Sequence, residues 1–217
     1  TKTLFLTALL GIASIATTLA QSSNVYSVNV VGYVTVTVDN ETNYRILSNP
    51  LMSDSASLTT LIPAPVDGTQ VSKLVAGVYQ TATYVSFLGG WDQDLSFAAG
   101  EGFFIKLGPG GAASPIDITF VGEVAQNEDS NKSLPPGLSL QGSLVPQSGS
   151  MISVLGIPGE DGDQVSKLPA SGVYQTATFV SFLGGWDQDL SFDVAEGFFF
   201  FNPTQNGRDW NRDFVVE

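Results

Sequence analysis

The chain has 217 residues, 43% of them apolar, and carries 21 acidic against 8 basic side chains for a net charge of −13. That acidity excludes a phosphate-backbone partner, so nucleic acid is ruled out. The absence of histidine and cysteine removes serine–histidine triads, thiol nucleophiles, the usual zinc sites and haem ligation from the functions open to it.

Residues 1–20, TKTLFLTALLGIASIATTLA, place one cation, Lys2, before an apolar run that ends in the small side chains of Thr18 and Ala20. This is the layout of a secretory signal peptide. It predicts an exported, extracellular or cell-surface protein whose mature chain starts near Gln21, and which meets a membrane only during export unless residues 1–20 are retained. Tyr26, Val28, Val30, Gly32, Val34, Val36 and Val38 then alternate with polar positions such as Ser27, Asn29, Thr35 and Thr37, the period of a half-buried strand. After a turn at 39–43, a second strand covers 44–48. Residues 55–62, SASLTTLI, are the one good candidate for a short helix. A turn at 65–68, a strand at 70–74, a β-rich run at 78–88, the Gly89-Gly90 turn and strands at 95–97 and 103–107 complete the first half.

Residues 108–115, GPGGAASP, read as a linker, and beyond them the pattern restarts with strands at 118–124, 138–145 and 198–201. The restart is most exact where residues 77–97, GVYQTATYVSFLGGWDQDLSF, return as residues 172–192 with one change, Tyr84 to Phe179. Two stretches so alike in similar surroundings build one structural unit twice. The expectation is an all-β fold with few short helices: two tandem units, 21–107 and 116–217, each a small antiparallel β-sandwich or half of a common barrel. A weaker likeness joins DITFVGE at 117–123 to NRDFVVE at 211–217, both in the place of SVNVVGY at 27–33. Either the middle strand serves both units, or an end strand adds itself to the sheet edge of a neighbouring molecule. The second alternative makes Tyr26, Val28 and Val30, with Phe214, Val215 and Val216, candidate assembly residues.

The duplicated GGWDQD segment supplies the candidate ligand residues Trp91, Asp92, Gln93 and Asp94, repeated as Trp186, Asp187, Gln188 and Asp189. Three readings stand open. The tryptophans serve as platforms for a sugar ring with Asp and Gln on its hydroxyls; the Asp-x-Asp pairs hold calcium, although the full calcium-loop pattern is missing; or the segment is a tight turn whose tryptophan packs back across the sheet. Glu101 and Glu196 suggest a carboxylate dyad, but equivalent environments do not split two pKa values as such a dyad requires. Lys73 and Lys167 follow serines in Gln-Val-Ser-Lys-Leu, yet neighbours in a strand point to opposite faces. No residue is assigned a catalytic role. Arg208 and Arg212 flank Trp210 and suggest a charged edge or a docking patch for an acidic neighbour.

The segment VYSVNVVGY at 25–33, followed by LSNPL at 47–51, Gly90-Trp91 and GEGFF at 100–104, resembles a group of secreted bacterial proteins that open with a VYSxNxVGY segment. The resemblance implies an exported, β-rich cell-surface or extracellular protein and carries no catalytic residues with it. The function expected is therefore a non-catalytic structural protein, a subunit of an extracellular fibre or surface layer that assembles with itself through strand edges or termini. The alternative is a carbohydrate-binding or adhesive module that meets surface glycans through Trp91 and Trp186. No cofactor is expected, calcium being the one ion left open.

Overall fold

The computed structural model describes residues 30–39, 42–53 and 56–216. The signal-peptide-like segment and the assembly residues Tyr26 and Val28 lie outside these. The described chain is mostly strand with one short helix, and it falls into two similar sets of antiparallel sheets.

In the first set, β2 (Arg45–Ser48), β8 (Gly102–Lys106), β4 (Gln70–Val75), β5 (Val78–Val85) and β6 (Gly90–Trp91) lie side by side in that order in one five-stranded sheet. Two ribbons cover one of its faces, β1 (Val31–Val38) with β9 (Ile116–Glu123), and β3 (Ala56–Ser57) with β7 (Ser96–Phe97). The second set repeats this with β11 (Gly137–Gln141), β17 (Phe198–Asn202), β13 (Gln164–Lys167), β14 (Gln175–Val180) and β15 (Gly185–Trp186), covered by β10 (Lys132–Leu134) with β18 (Arg208–Trp210), and by β12 (Gly149–Ser150) with β16 (Ser191–Phe192). The expected helix shrinks to the single turn α1 (Leu58–Leu61), which buries Leu58; its counterpart in the second set is a run of turns that buries Met151 and Leu155.

The alternation read in β1 is present: Thr35 and Thr37 face outward, while Val38 is fully buried and Val34 and Val36 pack against the first core. Alternation fails in β8 and β17 because both faces of these strands are covered. Phe103 joins the first core with Val71, Ile105 and Phe120, whereas its neighbour Phe104 points the other way. Phe198 and Phe200 likewise fill the second core while Phe199 turns from it.

The outward-turned residues form a third cluster made of three matched pairs, one member from each unit: Ile46 with Leu140, Leu74 with Leu168, and Phe104 with Phe199. Phe104 and Phe199 touch, with ring centroids 5.5 Å apart. Backbone contacts obey the same symmetry. Leu47 bridges Glu196 and Gln141 bridges Glu101; the Ser48 amide donates to the Ala195 carbonyl at 2.9 Å and the Gly142 amide to the Gly100 carbonyl at 3.0 Å. Each five-stranded sheet thus has its β2 or β11 edge closed by the other unit. The two repeats meet back to back about a pseudo-twofold axis, the internal counterpart of an isologous dimer contact.

At that axis equivalent positions confront each other, and there is room for only one side chain. Ser48 faces Gly142, where an added Cβ would lie 2.2 Å from the Ser48 Cβ, and the Ser48 hydroxyl is buried with no hydrogen-bond partner among the described residues.

Two differences from the sequence reading concern boundaries. β9 does not open the second unit: it pairs with β1 along its whole length and buries Ile118 and Phe120 in the first core. The 108–115 stretch is accordingly part of the first unit, held by the Gly108 amide on the Thr69 hydroxyl at 3.1 Å and by a backbone approach in which any Cβ on Gly108 would meet the Asp67 carbonyl at 1.9 Å. The second unit has an opening strand of its own, β10, directly after the polar residues 127–131. Its closing strand is β18, with 211–216 lying beyond it. Trp210 takes the place of Phe120: Phe103 meets Phe120 at 6.3 Å and 61°, and Phe198 meets Trp210 at 6.1 Å and 61°. The likeness that aligned Phe214 with Phe120 is out of register with the fold, and Phe214 instead packs against the first core.

Gly142→Ser is expected to destabilise the protein by about 1–3 kcal/mol through overpacking, and Ser48→Gly in the same chain to recover most of that loss. Urea denaturation of the single and double variants checks both.

Candidate functional site

Within the duplicated stretch, β5 and β14 run into single 3₁₀ turns, Ser86–Leu88 and Ser181–Leu183. Each turn ends on a glycine in the left-handed region, Gly89 at φ 73° and Gly184 at φ 77°, a conformation that L side chains adopt only under strain. A carboxylate pins the head of each turn: the Ser86 amide donates to Asp67 Oδ1 at 2.6 Å and the Ser181 amide to Asp161 Oδ1 at 2.8 Å. Hydrogen bonding from Ser86 holds the Asp67 carboxyl below its ordinary value.

The eight sequence-predicted ligand residues follow, and their polar atoms serve the fold. Trp91 Nε1 donates to the Ile62 carbonyl at 2.8 Å and Trp186 Nε1 to the Ile157 carbonyl at 3.3 Å. Each indole meets the ring one strand away edge to face, Tyr84 at 5.6 Å and Phe179 at 5.5 Å. Asp92 Oδ1 accepts the Thr83 amide and Asp187 Oδ1 the Thr178 amide, both at 2.8 Å. Gln93 and Gln188 donate to the carbonyls of Thr81 and Thr176. Asp94 accepts the Ser57 hydroxyl and the Thr59 amide at the head of α1, and Asp189 the Ser150 hydroxyl and the Ile152 amide. Side chains thus bind the outer backbone groups of β5 and β14, the positions where a foreign strand would add itself. Among the described residues no three acidic side chains converge on a point that could hold a metal ion.

What the segment leaves in solvent is apolar. Phe87 is 94% and Phe182 95% exposed, with Leu88 and Leu183 also largely in water. Two identical apolar tips therefore stand on rigid, hydrogen-bonded turns, one per unit. In the sequence, residues 78–88 look like one continuous strand, which hides these tips; the Phe-Leu pair immediately before Gly-Gly, repeated without change, is the signal that marks them.

The remaining candidates are committed internally. Glu101 pairs with Lys73 at 2.9 Å and Glu196 with Lys167 at 3.1 Å. The adjoining serines turn away to Thr81 and Thr176 at 2.7 Å. Arg208 is buried in a two-pronged pair with the fully buried Asp163, at 2.7 and 3.1 Å. Arg212 donates to Ser143 at 2.9 Å and lies 5.8 Å from the Trp210 ring, so the two arginines of the expected docking patch have partners inside the molecule, while Asp209, Asn211 and Asp213 are exposed. The assembly residues at the chain ends are likewise tied: Val30 accepts the Val124 amide at 2.7 Å, Phe214 the Asn127 amide at 2.8 Å, and the Val216 amide donates to Gln126 at 3.1 Å. Val215 lies between the last two, exposed.

Lys132 is the titratable group most altered by the fold. Its stem is partly exposed, but its ammonium is enclosed where the units meet, donating to the Gly100 and Gly142 carbonyls. Burial pushes it down to about 7 against the opposing pull of Glu101. The unfolded chain retains this proton up to about 10.5, so between these values the unfolded state binds more protons and stability rises with pH.

From about pH 7 to 10 the wild type is therefore expected to gain stability, by at most about 1.4 kcal/mol per pH unit, and a Lys132→Met variant to lose that slope; denaturant midpoints along a pH series check it. Asp94→Ala and Asp189→Ala are each expected to cost about 1 kcal/mol, the worth of a lost cap, while calcium or a chelator leaves the melting temperature unchanged, as calorimetry will show. Comparison of the chain with protein-family models, with curated proteins and with solved structures finds no match in any of the three.

Proposed function

We propose that this protein is a non-catalytic, exported structural subunit that associates with copies of itself through its two apolar tips, building an extracellular fibre or surface layer. The carrying observation is the exposure of Phe87 and Phe182 immediately before a GGWDQD segment whose tryptophans, aspartates and glutamines are bonded within the fold. A phenylalanine held in water on a pinned turn gains free energy only when something covers it. Two such tips related by a pseudo-twofold axis make the molecule bivalent, and a repeated contact that does not close generates a filament.

Export rests on the signal-like first twenty residues and on the resemblance of the opening segment to secreted proteins. A non-catalytic role is supported by the internal commitments of Glu101, Glu196, Lys73 and Lys167. Self-association through the tips, rather than through chain ends, is favoured because Val30, Phe214 and Val216 are hydrogen-bonded within their own molecule.

Sedimentation velocity and electron microscopy of residues 21–217 test the proposal. Wild type is expected to form oligomers or filaments, more readily at high salt, where the repulsion between acidic chains is screened. Phe87→Ser/Phe182→Ser is expected to stay monomeric with stability within about 0.5 kcal/mol of wild type, as for other exposed positions. A wild type that is monomeric at every salt concentration, or a double variant that assembles unchanged, overturns it.

A further inference from the structure

The pseudo-twofold seam opens to solvent along a groove that none of the assigned residues uses. Tyr79 and Tyr174, equivalent residues of the two units, stand together at its centre, each about half exposed, at 51% and 47%. Tyr79 rests on Phe104 with centroids 6.1 Å apart and Tyr174 on Phe199 at 6.0 Å, while Phe104 and Phe199 meet at 5.5 Å. The four rings form one continuous aromatic floor whose bottom is the hydrophobic seam itself. Burial raises both phenols above their usual value of 10, so each hydroxyl keeps its proton and offers both a donor and an acceptor.

Two lobes extend from this floor, of about 440 and 500 Å³, and both tyrosines line both lobes. The lobes are pseudo-symmetric in backbone but not in chemistry. Tyr44 and Lys106 line the first, and their counterparts Leu138 and Phe201 line the second. The first lobe also presents Ser72 and Asn43, and the second Ser166 and Gln164.

Neither lobe contains an aspartate or glutamate, in a chain with 21 acidic side chains and a net charge of −13. Without a carboxylate in the lining a cation finds no ion-pair partner, and in the first lobe the cation site on the Tyr44 ring is already taken by Lys106. The acidic surroundings repel polyanions, for which the single Lys106 is poor compensation. The charge pattern thus selects a neutral ligand. The chemistry of the walls narrows this further: exposed aromatic faces cover the C–H faces of a flat ring, while hydroxyls and amides beside them bond to its polar rim. A groove that crosses the axis and opens at two lobes suits an extended ligand.

We propose that this groove binds a neutral glycan chain, with pyranose rings stacked on Tyr79 and Tyr174 and one end of the chain in the lobe of Tyr44 and Lys106. This site is separate from the tips and from the tryptophans of the duplicated segment. A subunit that assembles through its tips would use it to hold a polysaccharide.

Affinity electrophoresis and calorimetry of residues 21–217 against soluble neutral glucan, xylan, mannan and chito-oligosaccharides test it, with Phe87→Ser/Phe182→Ser as background so that assembly does not contribute. At least one glycan is expected to bind. Tyr79→Ala/Tyr174→Ala is expected to weaken that binding at least tenfold, Tyr79→Phe/Tyr174→Phe to retain the stacking part of it, and Trp91→Phe to leave it within twofold. The phenylalanine pair preserves the aromatic floor and keeps the test decisive should the alanine pair fail to fold. No binding across the panel, binding that survives loss of both tyrosines, or binding confined to charged polymers or peptides overturns the proposal. None of these outcomes bears on assembly, which the tip variants decide.

Discussion

The contact on which the molecule depends is the one between Phe104 and Phe199, with Ile46, Leu140, Leu74 and Leu168 around it. It explains why β8 and β17 are apolar on both faces, since each strand serves its own core on one side and the partner unit on the other. It also closes the β2 and β11 edges, which would otherwise expose unpaired backbone groups. Two copies of one small sheet thus acquire the burial of a larger domain, because area is removed from water on both sides of each sheet.

Equivalence between the units is kept where the seam needs it and dropped elsewhere. Ser48 and Gly142 cannot be alike, since both lie at the axis and only one side chain fits. Away from the axis, the buried Thr69 and Ile118 of the first unit are replaced in the second by Asp163 and Arg208, which bury a hydrogen-bonded ion pair in the same place. Breaking such a pair by removing one partner leaves an uncompensated charge inside the protein. Lys132, with no matching cation in the first unit, reaches into the seam and ties the Gly100 and Gly142 carbonyls together. The second repeat therefore grips the first through a buried amino group whose desolvation only Glu101 offsets in part.

The duplicated GGWDQD segment shows how residues that resemble a ligand site can be fully occupied by architecture. Its tryptophans, aspartates and glutamines satisfy backbone groups that a short, frayed outer strand leaves open. In doing so they hold Phe87 and Phe182 outward. The polar half of the motif is the support, and the apolar pair before it is what reaches solvent. The proposed assembly contact and the proposed glycan groove occupy different surfaces, the first at the hairpin tips and the second along the seam.

The amino-acid sequence by itself determined the all-β class, the duplication and most strand positions, because period-two alternation, glycine turns and a 21-residue near-identity are local properties. It showed that Ser72 and Lys73 face opposite ways, for the same reason. It did not reveal that β9 closes the first unit, that residues 132–134 form the strand β10, or that Trp210 rather than Phe214 replaces Phe120, since each is settled by which strand finds a partner across a long separation. Nor did it reveal the seam. A strand apolar on both faces reads alike whether it is covered by its own ribbon or by a second sheet. Only the tertiary structure, by placing Phe104 against Phe199, brought Tyr79 and Tyr174 together and left Phe87 and Phe182 in water.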